Sequence, residues 1–158
     1  METLQLTTTF RVRKHRRWLT LVLLITASQI VSTAQSTSKC KNSTIEEAWG
    51  PEYASQARSF FATLQRVVES NDSAKFARLI HYPVRLSGAH VTKITRPSEL
   101  IRKYSSIMTS EMRKAILAQT PECLFANGQG VMIGNGQIWF QQDQGGKFKI
   151  ITINVMSP

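Results

Sequence analysis

The stretch GVMIGNGQIWF, residues Gly130 to Phe140, sets an Asn-Gly pair between two apolar runs, with four glycines between Gly128 and Gly136. Asn-Gly in that setting is a strong hairpin signal, because a type I′ turn needs positive φ at both central residues. Placing Asn135 and Gly136 at the turn sets Ile133 opposite Ile138, Met132 opposite Trp139 and Val131 opposite Phe140. Side chains alternate faces along a strand, so Val131, Ile133, Ile138 and Phe140 share one face and Met132 and Trp139 the other. Every cross-strand pair is apolar with apolar. The rival reading, a phosphate-cradling loop, fails on spacing: no Gly-x-x-x-x-Gly-Lys is present, and no helix start follows the glycines. Gly128 and Gly130 are expected to let a strand bend or bulge.

Outward from this hairpin the pattern stays β-rich. A turn at Asp143-Gln144-Gly145-Gly146 leads into KFKIITINV, apolar on both faces near its middle. Upstream, Tyr53, Ala57, Phe60, Phe61, Leu64, Val67 and Val68 recur at helical spacing, predicting an amphipathic helix from Pro51 to Ser70. Asn71-Asp72-Ser73 stops it and caps a shorter helix, which is expected to end near Tyr82 because Pro83 follows. Val84 to Thr95 reads as a short strand pair. Pro97-Ser98-Glu99 starts a further helix, with Ser98 as its cap and Leu100, Ile101, Tyr104, Ile107 and Met108 on its buried stripe. Ser110 to Gln119 fits either a helical turn or a strand. Helices first and mostly antiparallel strands after them predict an α+β domain, its N-terminal helices packed on a curved, cone-like antiparallel sheet.

The 158 residues suffice for one domain, and the first 34 read as separate from it. Arg11, Arg13, Lys14, Arg16 and Arg17 precede an apolar run from Trp18 to Val31, and Ser32 and Ala34 suit a cut after Ala34. That is the layout of a secretory signal peptide; a single membrane anchor or a misread start codon is the rival reading. Lys39 before Cys40 departs from the small residue that lipid attachment needs. Residues 35–50 read as a flexible leader and 51–158 as the domain, with no stable membrane span after the cut. The chain is therefore expected to be secreted or periplasmic. Sequons stand at Asn42 and Asn71.

Without the first 34 residues the formal charge falls from +10 to +6, since 15 Lys/Arg then face 9 Asp/Glu. The cations are scattered, with no run and no aromatic interleaving, so nucleic acid is not an expected partner. Cys40 and Cys123 suit a disulfide in an oxidising compartment, worth about 4 to 5 kcal/mol for so long a loop; two independent thiols are the alternative. Neither has a metal-ligand neighbour, so no metal or cofactor is expected.

Tyr53 to Val155 resembles the nuclear transport factor 2-like, or cystatin-like, cone, in the small exported bacterial form. The likeness rests on RSFFATLQRVV, HYPVRL, SELIRKY and LFANGQGVMIGNGQIWF with KFKIITIN. It implies a curved sheet wrapped around a helix, with a pocket at the open end. Enzymes of this type hold an Asp/His or Tyr/Asp set there; other members only bind ligands or partners. No apolar strand position here carries Asp or Glu, which counts against an enzyme. Two histidines remain, His81 expected at a helix end and His90 facing solvent. Pocket candidates are His81, Arg85, Tyr104, Trp139 and Asn154, with no catalytic residue assigned. The expected function is non-enzymatic binding of a small ligand or protein partner. The alternative is a small hydrolase, dehydratase or isomerase using His81 or His90 with Tyr82 or Tyr104.

Overall fold

The computed structural model describes residues 45–155. Five helices lie against one face of a six-stranded sheet, an α+β architecture. The helices are α1 (Ile45–Trp49), α2 (Pro51–Glu69), α3 (Ser73–Arg78), α4 (Pro97–Ile107) and α5 (Ser110–Ala118). The strands are β1 (Ile80–Ser87), β2 (Thr92–Ile94), β3 (Phe125–Asn127), β4 (Gly130–Ile133), β5 (Ile138–Gln142) and β6 (Phe148–Asn154). Their order across the sheet is β2-β1-β6-β5-β4-β3.

Pro51 opens α2 at a position where its missing N–H costs nothing. Of the predicted stripe the helix buries Ala57, Phe61, Leu64, Val67 and Val68, with Ala54 beside them, while Tyr53 and Phe60 are half-buried against the same core. Asp72 caps α3 by accepting from the Lys75 N–H at 2.8 Å. Ser110 to Gln119, which fitted helix or strand, resolves as helix α5 because the Thr109 hydroxyl caps it, accepting from the Met112 N–H at 3.2 Å.

Several expectations need correction. Residues 45–49, expected within a flexible leader, form α1 instead, and Ile45 is wholly buried in the core. Its side chain joins the core, and the Trp49 indole N–H, which donates to the Asn127 carbonyl at 3.2 Å, ties the other end of α1 to β3. The second helix ends at Arg78, not Tyr82, and Pro83 sits within strand β1 after a cis peptide. Ser98 is not the cap of α4. Arg96 occupies that position without a side-chain bond, and the Glu99 carboxylate instead accepts from the Thr95 N–H at 3.4 Å. Ile101, placed on the buried stripe, is exposed.

The hairpin register is the one predicted: Val131 pairs with Phe140, Met132 with Trp139 and Ile133 with Ile138. Its turn differs. Positive φ falls at Gly134 and Gly136, not at Asn135, so four residues make the connection. Two glutamines hold that loop: Gln119 Oε1 accepts from the Gly134 N–H and Gln137 Oε1 from the Asn135 N–H. The sheet is also mixed, since β1 runs parallel to β6. A parallel join needs a long crossover, here the whole helical and hairpin segment between the two strands.

Inward-facing Val84, Ile94, Val131, Ile133, Ile138, Phe140, Ile150 and Ile153 join the helix stripes in one apolar core. Phe60, Phe140 and Phe148 pack ring to ring within it, at centroid distances of 4.9 to 6.0 Å. All five helices use this face. The opposite face carries the other half of each strand's side chains, half-buried or exposed.

Candidate functional site

Pairing fixes the row of residues that crosses the uncovered sheet face. Lys93 on β2 pairs with Arg85 on β1, and Arg85 with Thr152 on β6. Thr152 pairs with Trp139 on β5, Trp139 with Met132 on β4, and Met132 with Phe125 on β3. One line of side chains therefore runs from two cations through a hydroxyl to three apolar groups. Like charges directly opposite each other across antiparallel strands repel. None of the six strands contains Asp or Glu, while they carry Arg85, Lys93, Lys149 and His81.

A cavity of about 330 Å³ lies on this face, lined by Arg85, Gln129, Trp139, Ile151, Thr152 and Asn154. A bulge makes part of it. Trp139 pairs with Thr152 but Phe140 with Ile150, so Ile151 is an extra residue that turns outward with its neighbour. Asn154 is anchored: its Nδ2 donates to the Gly136 carbonyl and its backbone N–H to the Gln137 carbonyl. Arg85 Nε donates to Ser87 Oγ at 3.3 Å, which orients the guanidinium. Among the described residues its two Nη groups, the Trp139 indole N–H and the Thr152 hydroxyl have no protein partner. The lining is thus rich in open donors and free of carboxylates.

The five candidates separate. Arg85, Trp139 and Asn154 meet in this one cavity. His81 lines a neighbouring one of about 220 Å³ with Gln141, Gln142, Asp143, Gln144, Lys149 and Ile151, the last shared with the first cavity. His81 lies on β1, not at a helix end, because the strand begins at Ile80. Tyr104 belongs to neither. It is 7% exposed, its ring packs edge-on against Phe76, and its hydroxyl is buried with no hydrogen-bond partner. Burial raises its pKa.

The alternative enzymatic reading calls for a histidine joined to a carboxylate or a tyrosine. Among the described residues no hydrogen bond or ion pair makes that connection. Tyr82 donates to the Ala77 carbonyl at 3.1 Å, and burial pushes its pKa up to about 12. His90 is exposed in the loop between β1 and β2. Asp143 is engaged by its own turn: the Lys147 N–H foremost, then the Gly145 N–H, hold its carboxyl below the ordinary range. The charges of Lys149 and His81 add to this. No cluster of three metal-ligating side chains occurs among the described residues, and no described helix is long and apolar enough to cross a membrane. The segment expected to be a signal peptide and Cys40 lie outside the described residues; Cys123 is exposed at the end of a 3₁₀ turn, Pro121–Cys123.

Sequence reasoning missed Lys93, Gln129 and Thr152. The pairing of Lys93 with Arg85 was within reach of a hairpin register for β1 and β2. Thr152 depends on the parallel join and the bulge, and Gln129 reaches the cavity from the β3–β4 turn, so neither has a local signature. A third cavity, of about 280 Å³, lies at Trp49, Glu52, Tyr53, Gln56 and Gln142, where the Trp49 and Tyr53 rings stack at 5.0 Å. No protein-family model and no curated protein matches the chain.

Proposed function

We propose that this chain is an exported, non-enzymatic binding domain of the nuclear transport factor 2-like type, and that it takes an anionic ligand on its uncovered sheet face. One observation carries the reading: the open donors of Arg85, Trp139 and Thr152 line one cavity on a sheet with no carboxylate. A guanidinium presents paired N–H groups that match a carboxylate or phosphate edge. An anion there also relieves the repulsion between Arg85 and Lys93. The cone resemblance is supported by helices gathered on one sheet face and by strands that close with a β3-β4-β5-β6 meander. The cavity lined by Arg85 lies on the sheet face that the helices leave open, so this binding surface differs from the pocket that the resemblance implies.

The test is calorimetric titration of the purified chain with benzoate, phosphate and acetate, alongside amide chemical-shift mapping. Binding is expected with shifts centred on Arg85, Trp139 and Thr152, weakened about tenfold in Arg85→Gln, the loss of one charge-assisted contact. Absence of heat and of shifts for all three anions refutes the reading. Export and a Cys40–Cys123 bridge are part of the same proposal. They predict a secreted form starting at Gln35, whose intact mass rises by two hydrogens on reduction.

A further inference from the structure

The row across the open face is graded as well as cationic. Lys93 and Arg85 stand at one end, Thr152 in the middle, and Trp139, Met132 and Phe125 at the other. All three apolar members are only half-buried, although they sit in consecutive strands and form one continuous strip. Such a strip beside a cationic end is apolar surface that an amphiphilic ligand can cover. Neighbouring strands lie about 4.8 Å apart, so Arg85 to Phe125, four strands on, spans about 19 Å.

Resting on the anion-binding reading above, we infer that the ligand is a single-chain amphiphilic anion, its head at Arg85 and Lys93 and its apolar chain laid across Trp139, Met132 and Phe125. Charge decides against a second copy of this chain as the occupant. Two such faces brought together would crowd both sets of Arg85, Lys93 and Lys149 into one interface, with no strand carboxylate to offset them. An amphiphile satisfies both ends at once. Its carboxylate or phosphate accepts from the guanidinium, and its chain covers apolar surface that water otherwise meets. The chain runs perpendicular to the strands, so its usable length is set by the number of strands it crosses.

Butanoate, octanoate and dodecanoate, each below its micelle concentration, test this by calorimetry on the purified chain, with dodecyltrimethylammonium as the control of opposite head charge. Affinity is expected to rise about two- to fourfold per added CH₂, the lower figure applying to a chain covered on one side only. Met132→Ser and Phe125→Ser should weaken dodecanoate about tenfold and leave butanoate unchanged, while Arg85→Gln weakens both. Lys93→Gln, at an exposed edge position, gives a second head-group variant that leaves the core untouched. Equal affinity for all three lengths, with Arg85 still required, overturns the amphiphile and leaves the anion-binding reading standing. Failure of every anion to bind overturns both. Equal binding of the cationic surfactant overturns the head-group assignment. Sedimentation showing a dimer that Phe125→Ser dissociates overturns the ligand in favour of a second copy.

Discussion

Gly128, in the β3–β4 turn, and Gly130, the first residue of β4, tolerate a methyl group very differently. Gly130 has φ +122°, and a Cβ there would lie 2.7 Å from the Phe140 carbonyl oxygen, a backbone atom that cannot swing away. Gly128 has ordinary φ and nothing within 4 Å. Gly130→Ala should therefore cost about 2 to 3 kcal/mol in urea unfolding, and Gly128→Ala less than about 0.5 kcal/mol. Tyr104 supplies the converse case. Its buried hydroxyl has no partner, so Tyr104→Phe should leave stability unchanged or raise it by about 1 kcal/mol. A loss of more than about 1 kcal/mol in thermal or urea unfolding would mean that the hydroxyl has a bonded role. The sequence placed Tyr104 on the inner stripe of its helix, and it is there. That stripe faces packed side chains and not a cavity.

Among the elements, the β4–β5 hairpin separates what pattern reading reaches from what it does not. Its register follows from apolar pairing, which either side of the turn specifies. The turn's own conformation depends on Gln119 and Gln137 accepting from its amides, and Gln119 comes from the end of α5. Helix α5 itself is ambiguous in the sequence because the spacing of Met112, Ala115, Ile116 and Leu117 fits two periods. The Thr109 cap settles it, and Thr109→Ala should cost about 1 kcal/mol in urea unfolding. Loops and caps also set the acid response. Asp72, bonded first by the Lys75 N–H, and Asp143, bonded first by the Lys147 N–H, both have lowered pKa values. A carboxyl whose folded pKa is depressed stabilises the fold above its unfolded value and loses that contribution as pH falls through the folded one. Unfolding midpoints should thus be flat above about pH 5 and decline below about pH 4. Asp143→Asn should flatten part of that decline, read from midpoints at pH 3 and pH 6.

For the molecule as a whole, α2 and α5 are tied by a side chain from each, Arg113 of α5 donating to the Val68 carbonyl at 2.6 Å and Gln65 of α2 reaching the end of α5. Gln65 Nε2 donates to the Ile116 carbonyl at 3.0 Å and to the Gln119 carbonyl at 2.9 Å. Gln65→Ala leaves two half-buried acceptors unmet, and a loss of about 1 to 2 kcal/mol in urea unfolding is expected. Gln119 in turn holds the β4–β5 turn, so the helical layer and that hairpin share one polar chain. The α+β class was legible because helical and strand periods segregate along the chain. The position of β1 was not. Pro83 is a sound reason to end a helix, yet the segment had already become a strand, held beside β6 by pairing that no local pattern announces.

Periodicity, caps and an Asn-Gly turn are short-range signals, so the span of α2, the hairpin register and the inward set Val131, Ile133, Ile138 and Phe140 could be read from the chain. The same alternation named Trp139 as belonging to the other face. Which face the helices cover, and which residues then share the exposed one, depends on contacts between distant segments. Arg85 meets Thr152 through a parallel join, and Ile151 turns outward at a bulge; neither leaves a mark on nearby residues. Packing free energy gathers the helices on the face where their stripes and the strand interiors are both apolar. Arg85, Trp139 and Asn154 come together on the opposite face because a charged and hydroxyl-bearing row cannot enter that core.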